Sequence, residues 1–186
     1  NSAGMVDPWN QPNYFEDQPT EIIRNGDFIE PDGNGNLPKH WNVSSSTAGS
    51  VTYTPGEHYV ELGKGSVKFD GYGKLNTKIP LKVEMDTTYE VSFELSNIGN
   101  DSAGIFVGIA SENYDYHFYY TPVVNTNGIH NFTITTVDPS PNLQYDAITN
   151  DPIPSGLSSG HRVYFQTGSI TSEGFIGRVH NISVKR

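Results

Sequence analysis

Two segments of the chain combine aromatic and polar residues in a way that suits the recognition of sugars. The first runs from residue 113 to 120 and the second from 162 to 166. Because neighbouring side chains on a β-strand point to opposite faces, every second residue of each segment lies on one face. An aromatic ring there can stack on the apolar C–H groups of a pyranose, and polar neighbours can hydrogen-bond to its hydroxyl groups. The outward residues of these strands would therefore be amphipathic and polar enough to bind a sugar.

In each segment, one set of residues faces outward if the other set packs in the core. The residues of the first segment that we expect to point inward are Tyr114, Tyr116, Phe118 and Tyr120. The outward residues that would contact a sugar are Asp115, His117, Tyr119, Arg162, Tyr164 and Gln166. Of these, the two tyrosines would be the stacking platforms, and the other four would bind hydroxyl groups.

Loop tips are the alternative location for a binding site. Tyr59, Tyr72 and Tyr145 lie near turns or within a long loop. Tyrosine is also frequent on β-strands because of strand propensity alone. Outward tyrosines therefore fit a purely structural surface as well, and the three interpretations stay open at this point.

The elements that must position these residues are β-strands. Nineteen glycines and twelve prolines divide the chain into short apolar runs, which disfavours helices. In residues 89–95, large apolar residues alternate with glutamate and serine, the pattern of a strand buried on one side. We expect strands at roughly residues 22–29, 50–54, 58–62, 65–70, 74–81, 88–97, 104–111, 115–121, 129–137, 161–168 and 175–185.

Many antiparallel strands without intervening helices favour an all-β fold, a two-sheet antiparallel sandwich. We expect residues 22–186 to form this single domain, and residues 1–21 to be an N-terminal linker or docking segment. The proline-rich residues 138–160 would form a long loop beside the site. The expected core consists of Phe28, Trp41, Phe69, Tyr89, Val91, Phe93, Phe132, Ile134, Val163, Phe165, Ile182 and Val184.

Several motifs resemble those of the carbohydrate-binding modules attached to xylanases and glucanases. The motifs are the opener Asn25-Gly26-Asp27-Phe28, the step Leu37-Pro38-Lys39-His40-Trp41, the strand at 89–95 and the terminal strand at 174–184. Their order and spacing are similar to those of the CBM4/9/22-like group, whose members share a galactose-binding-like jelly roll. Modules resembling these also occur inserted in bacteriophage tail and baseplate proteins. The resemblance implies a jelly-roll sandwich that binds sugar.

The resemblance also implies where the site would lie. Related modules use the concave face of one sheet as a cleft. Glu90, Ser92 and Glu94 would accordingly share one sheet face with the two alternating segments. Trp41 would be a core residue, because the equivalent tryptophan of such modules packs near the opener.

Calcium is the one cofactor that the resemblance brings into question. Modules of this group commonly hold a structural Ca²⁺ between the opener and the last strand, where an aspartate supplies a carboxylate. This chain has His180-Asn181 at that place, and imidazole is a poor ligand for calcium. Asp32, Asn34 and Asn36 instead space three oxygen donors as calcium loops do, although the same residues are ordinary turn formers. A calcium ion and a plain turn are both compatible with this segment.

Composition and missing motifs argue against several other functions. A net charge of -10 is unfavourable for binding nucleic acid. The chain has no cysteine, so disulfides and thiol chemistry are excluded. No apolar stretch approaches the roughly 20 residues that span a bilayer, so no membrane partner is expected. The common hydrolase, zinc-protease and phosphate-loop motifs are missing, and Glu90 and Glu94 line one strand face instead of flanking a glycosidic bond. We therefore expect no enzymatic activity.

The leading hypothesis is a non-catalytic carbohydrate-binding module that targets a larger protein or assembly to a polysaccharide. The glycan would be of plant type if the parent protein is a hydrolase. It would be a host cell-wall saccharide if the parent is a phage tail protein that mediates adsorption. Either setting is extracellular or on a virion surface. The alternative is a structural or protein-interaction sandwich, a spacer in a virion or adhesin; outward aromatics clustered on one face would favour sugar binding over the spacer.

Overall fold

A computed structural model of the chain describes residues 21–44, 51–65, 74–84, 86–111, 118–137, 161–167 and 174–186. Over these residues the chain forms strands, turns and bends without a helix, so none of its described segments is a helix able to cross a membrane. The strands of the described segments are β1 (Trp41–Ser44), β2 (Val51–Tyr53), β3 (Val60–Leu62), β4 (Lys74–Thr77), β5 (Thr88–Ser96), β6 (Ile105–Ser111), β7 (Phe118–Tyr120), β8 (Gly128–Thr135), β9 (His161–Thr167) and β10 (Gly177–Lys185).

The strands form two five-stranded sheets. The first sheet has the order β1-β4-β9-β6-β7, and the second has the order β2-β3-β10-β5-β8. Every neighbouring pair within a sheet is antiparallel. The chain is therefore an all-β, two-sheet antiparallel sandwich of the jelly-roll kind, as the sequence predicts.

The core lies between the sheets and is built from the inward residues of both. β5 shows the principle most clearly, because Tyr89, Val91, Phe93 and Leu95 are buried while Glu90 between them is exposed. Apolar burial of this kind stabilises the fold by roughly 25 cal/mol per Å² of apolar surface. The predicted core residues that are buried are Phe28, Trp41, Tyr89, Val91, Phe93, Ile134, Val163, Phe165, Ile182 and Val184. Phe132 is only partly buried against this core, and Phe69 lies outside the described residues.

Aromatic contacts join the two sheets across the core. Phe93 of the second sheet meets Phe165 of the first edge to face, with ring centroids 5.7 Å apart and an interplanar angle of 87°. Trp41 lies 6.3 Å from Phe165 and 5.3 Å from Phe28. The tryptophan is therefore a core residue in this structure, as the resemblance implies.

The opener is a loop, which corrects the strand expected at residues 22–29. Residues 22–29 belong to no strand, and Glu21 just before them forms an isolated bridge with Lys185. Asn25 stops the segment from extending: its Oδ1 accepts a hydrogen bond from the Glu30 amide, and its Nδ2 donates to the carbonyls of Glu30 and Lys39. The first strand of the described residues is instead β1. The sequence does not predict β1, because a strand of four residues is too short for a clear alternation of apolar and polar residues.

The terminal strand β10 contains a β-bulge. Its pairing with β5 shifts by one residue between His180 and Ser183, and Asn181 adopts a left-handed φ of 45°. One extra residue in a strand changes which face the following side chains occupy. Because of the bulge, Val179 and Ile182 both face the core, although three positions separate them.

Gly26 brings the opener against this bulge. The Ile182 amide donates to the Gly26 carbonyl at 2.9 Å, and a Cβ added to Gly26 would lie 2.0 Å from the Ile182 carbonyl oxygen. We expect Gly26→Ala to destabilise the domain by about 1 to 3 kcal/mol, since backbone atoms must move apart to admit the methyl group. Urea unfolding followed by circular dichroism measures this loss. Gly33→Ala is the matched control, because a Cβ at Gly33 meets nothing within 4 Å; equal stability of the two variants would contradict the prediction.

Candidate carbohydrate-binding face

One face of the first sheet points away from the core, and we call it the outer face. Strand register places a row of five residues across it. Asn42 pairs with Asn76, Asn76 with Tyr164, Tyr164 with Gly108, and Gly108 with Tyr120. Directly paired residues of neighbouring strands lie on the same face of a sheet. The row therefore runs across all five strands, from β1 to β7.

Three aromatic side chains on the outer face form a cluster separate from the main core. Phe106 meets Tyr164 edge to face at 6.0 Å with an interplanar angle of 79°, and it lies 5.7 Å from Tyr120. Phe106 and Tyr164 are buried, whereas Tyr120 is 61% exposed. We call these three residues the aromatic cluster. Tyr120 is the member whose ring is open to a ligand.

The predicted residues of β9 lie on the outer face, opposite the core residues Val163 and Phe165. Tyr164 is completely buried and Gln166 is nearly so. Arg162 is half-buried, and its Nη1 donates to the carbonyls of Thr77 and Lys78 at 2.7 and 2.6 Å. Strand alternation therefore predicted correctly that these three residues face away from the main core. Tyr164 is nevertheless buried, so it cannot serve as an open stacking platform in this structure. Contacts between sugar and Arg162 or Gln166 remain predictions.

The alternation predicted for β7 was wrong by one residue. Tyr119 pairs with the core residue Ile109, packs partly buried against the core, and exchanges hydrogen bonds with the backbone of Val137. Tyr120, which the sequence analysis placed inside, is the exposed neighbour. Aromatic residues occupy both faces of this strand, so alternation alone does not show which face packs on the core. Of these two tyrosines, only Tyr120 has the exposure that a stacking platform requires.

The other predicted positions cannot be placed on the face. Asp115, His117, Tyr72 and Tyr145 lie outside the described residues. Tyr59, one of the loop-tip alternatives, is half-buried beside β10, where the guanidinium carbon of Arg178 lies 4.2 Å from the centroid of its ring. One face of the Tyr59 ring is thus occupied by a cation, which makes it a poorer stacking surface than Tyr120.

The carboxylates expected beside the site lie on the opposite side of the molecule. Glu90, Ser92 and Glu94 belong to β5, in the second sheet, so placing them on the same sheet face as β9 was wrong. Glu94 accepts a hydrogen bond there from Asn181 Nδ2 at 3.2 Å. Sheet membership depends on pairing between distant parts of the chain, which strand alternation does not encode.

One described cleft is lined by none of the residues of the aromatic cluster. It has a volume of about 370 Å³ and lies where the first and last described residues meet. Its lining includes Ile22, Leu81 and Tyr89. Glu84 and Arg186, also in its wall, form an ion pair with a distance of 2.9 Å. We therefore place the candidate sugar site by the exposure of an aromatic ring and not by this cleft.

The candidate calcium loop has the geometry of a turn. Asp32 Oδ1 accepts hydrogen bonds from the amides of Asn34 and Asn36 at 3.2 and 3.0 Å. Within the described segments, no group of three His, Cys, Asp or Glu residues is arranged to hold a metal ion. Calcium binding by Asp32, Asn34 and Asn36 remains a prediction.

We expect Asp32→Ala to cost about 1 kcal/mol of stability, because two backbone amides lose their acceptor. Asp32→Asn should cost less, since its amide oxygen can accept the same hydrogen bonds. Thermal melts of both variants and the wild type, with calcium and with a chelator, check this prediction. A calcium-dependent rise in melting temperature that both substitutions abolish would instead establish the ion site.

His180 occupies a partly buried polar position on the second sheet. Its Nε2 lies 2.7 Å from Ser96 Oγ, and its ring centroid is 5.4 Å from that of Tyr59. Burial lowers the pKa of His180 below its usual 6.5, and Arg178 lowers it further, while Glu94 and a hydrogen bond to the His58 backbone oppose the change. The neutral imidazole is therefore the form that the folded state prefers.

This preference predicts a pH dependence of stability. The unfolded chain takes up a proton on His180 at higher pH than the folded chain does, so the stabilisation is present above pH 6.5 and is lost as the pH falls through the folded pKa. When the pH falls from about 7.5 to about 5.5, the free energy of unfolding should decrease less in His180→Gln than in the wild type. Urea unfolding at the two pH values measures the difference. Parallel losses in the two proteins would refute the assignment.

Comparisons with known proteins support the fold and leave the site to be argued from geometry. No protein-family model and no curated protein matches the chain. Among solved structures, the chain is similar to one described as "CBM4 structure and function", with a TM-score of 0.54 and 17% sequence identity. The match covers 88% of this chain and 98% of that one. At this identity the likeness establishes the class of fold, a β-sandwich like that of a carbohydrate-binding module.

Proposed function

We propose that the chain is a non-catalytic carbohydrate-binding module that targets a larger protein or assembly to a polysaccharide. The observation that carries the proposal is the aromatic cluster on the outer face of the first sheet. Tyr120 offers an exposed ring, Phe106 contacts it from the buried side, and Tyr164 packs against Phe106. Stacking of such a ring on a pyranose, with polar groups nearby to bind hydroxyls, is the usual chemistry of sugar recognition.

Polar groups accompany the ring on the same face. The amide side chains of Asn42, Asn76 and Gln166 share the outer face with the aromatic cluster. Of these amides only Asn42 is exposed in the present arrangement, at the far end of the row. Asn42 lies on the edge strand opposite Tyr120, so it can bind a hydroxyl of a different sugar unit of the same glycan chain, whereas Asn76 and Gln166 are buried.

The spacer hypothesis is the second candidate. Ile129 on β8, Val123 in the segment between β7 and β8, and Val137 after β8 are exposed apolar residues, as a protein-contact surface would require. These residues do not include an aromatic ring. The clustering of the described aromatics of the outer face around Phe106 favours sugar binding over a spacer.

The setting of the module follows from the same proposal. The partner is a poly- or oligosaccharide, either a plant-type glycan bound for a hydrolase or a host cell-wall saccharide bound for a phage tail. Both settings place the module outside a cell or on a virion surface, with neither nucleic acid nor membrane as a partner. Glu90 and Glu94 lie on the sheet opposite the aromatic cluster, which supports a binding role without hydrolysis.

Binding to a panel of plant and bacterial cell-wall polysaccharides tests the proposal. We expect the purified chain to bind at least one of them and to release no reducing sugar from it. Absence of binding across the panel would favour the spacer. Release of reducing sugar that Glu94→Gln abolishes would show that the protein is an enzyme.

A further inference from the structure

Gly108 lies inside β6, where a glycine needs an explanation. Glycine weakens a strand because it has no side chain to pack and gains freedom in the unfolded chain. The backbone does not require it here, since Gly108 is not among the residues with positive φ. The reason must be the space that a side chain would fill.

That space holds the ring of Tyr164. A Cβ added to Gly108 would lie 2.2 Å from Tyr164 Cζ, 2.3 Å from its Oη and 2.7 Å from its Cε1. These separations are far shorter than nonbonded contacts allow. The Tyr164 side chain is completely buried and is packed against Phe106, so it has little room to retreat. Even a methyl group at position 108 must displace the ring.

The displacement would reach the exposed ring by two routes. Tyr164 packs edge to face on Phe106, and Phe106 contacts Tyr120 at 5.7 Å. Gly108 is also the direct cross-strand neighbour of Tyr120. We propose that Gly108 is a positioning residue for sugar binding: by leaving room for Tyr164, it sets where the aromatic cluster presents Tyr120. The proposal rests on the proposed function of the outer face.

A double-mutant cycle between Gly108→Ala and Tyr164→Ala tests this role. We expect Gly108→Ala to weaken binding to the tightest polysaccharide of the panel by roughly tenfold, measured by isothermal titration. In the Tyr164→Ala background, the same change should alter the affinity by no more than about twofold, because the displaced ring is gone. Melting temperatures should follow the same pattern, with a fall of roughly 2 to 10 °C for Gly108→Ala alone.

The outcomes separate this proposal from the proposed function. Wild-type affinity of Gly108→Ala, or an equal loss of affinity in both backgrounds, would overturn the positioning role. If the wild type binds no polysaccharide, the proposed function fails, and the melting temperatures alone test whether Tyr164 fills the space beside Gly108. A lower melting temperature for Gly108→Ala only when Tyr164 is present supports this packing. An equal fall with and without Tyr164 refutes it. Gly33→Ala, a substitution with open space around it, controls for the loss of a glycine.

Discussion

Replacing Trp41 with alanine is expected to remove about 3 to 5 kcal/mol from the free energy of unfolding, the range for large aromatic residues truncated in a core. Trp41 is 2% exposed and contacts Phe28 and Phe165, so its removal leaves a cavity beside both rings. Its Nε1 also donates to the Asn25 carbonyl at 3.1 Å, and the truncation deletes that hydrogen bond. The free energy of unfolding of an ordinary domain is about 5 to 15 kcal/mol, so the variant would retain only part of its stability.

Urea unfolding followed by far-ultraviolet circular dichroism measures this loss. Trp41→Phe is the matched comparison, because phenylalanine keeps an aromatic ring in the core but cannot donate to Asn25. It should fall between the wild type and Trp41→Ala. A loss below about 1 kcal/mol for Trp41→Ala would mean that the opener and the first sheet are not joined as the structure has them.

Tyr120→Ala is expected to weaken sugar binding roughly tenfold to a hundredfold, equivalent to about 1 to 3 kcal/mol, while the fold stays intact. The ring of Tyr120 is 61% exposed, so it can stack on a sugar and its removal leaves no core cavity. Tyr120→Phe should retain most of the affinity, because stacking uses the ring and not the hydroxyl. Isothermal titration against the best polysaccharide of the panel checks both variants.

Ile129→Ala is the matched control for this experiment. Ile129 is 68% exposed and lies on β8 in the other sheet, so its truncation removes a large apolar side chain far from the aromatic cluster. Its affinity and melting temperature should equal those of the wild type. Unchanged affinity in Tyr120→Ala, with a bound glycan, would place the site elsewhere on the molecule.

Strands with one apolar face could be predicted from the sequence alone. The strand expected at residues 88–97 is β5 at Thr88–Ser96, and its four inward residues are all buried. The strand at 161–168 is β9, with Val163 and Phe165 inside. The inward residues of β5 and the central inward pair of β9, Val163 and Phe165, are large and apolar, and in β5 polar residues separate them, so hydrophobic burial selects one register.

Other features depend on contacts that no local pattern carries. β7 has aromatic residues on both faces, so only its pairing with β6 shows that Tyr119 faces the core and Tyr120 does not. The burial of Tyr164 depends on the missing side chain of Gly108, a residue from another strand. The sheet to which β5 belongs is likewise decided by its pairing with β8 and β10.

The bulge at Asn181 gives β10 a change of parity. Before it, odd-numbered residues such as Val179 face inward; after it, even-numbered residues such as Ile182 and Val184 do. A strand that kept Asn181 but paired without the bulge would turn Ser183 inward and Val184 outward, whereas a strand without Asn181 would pair regularly and keep Ile182 and Val184 inward. The inward positions in the last part of β10 therefore depend on Asn181 standing outside the regular alternation.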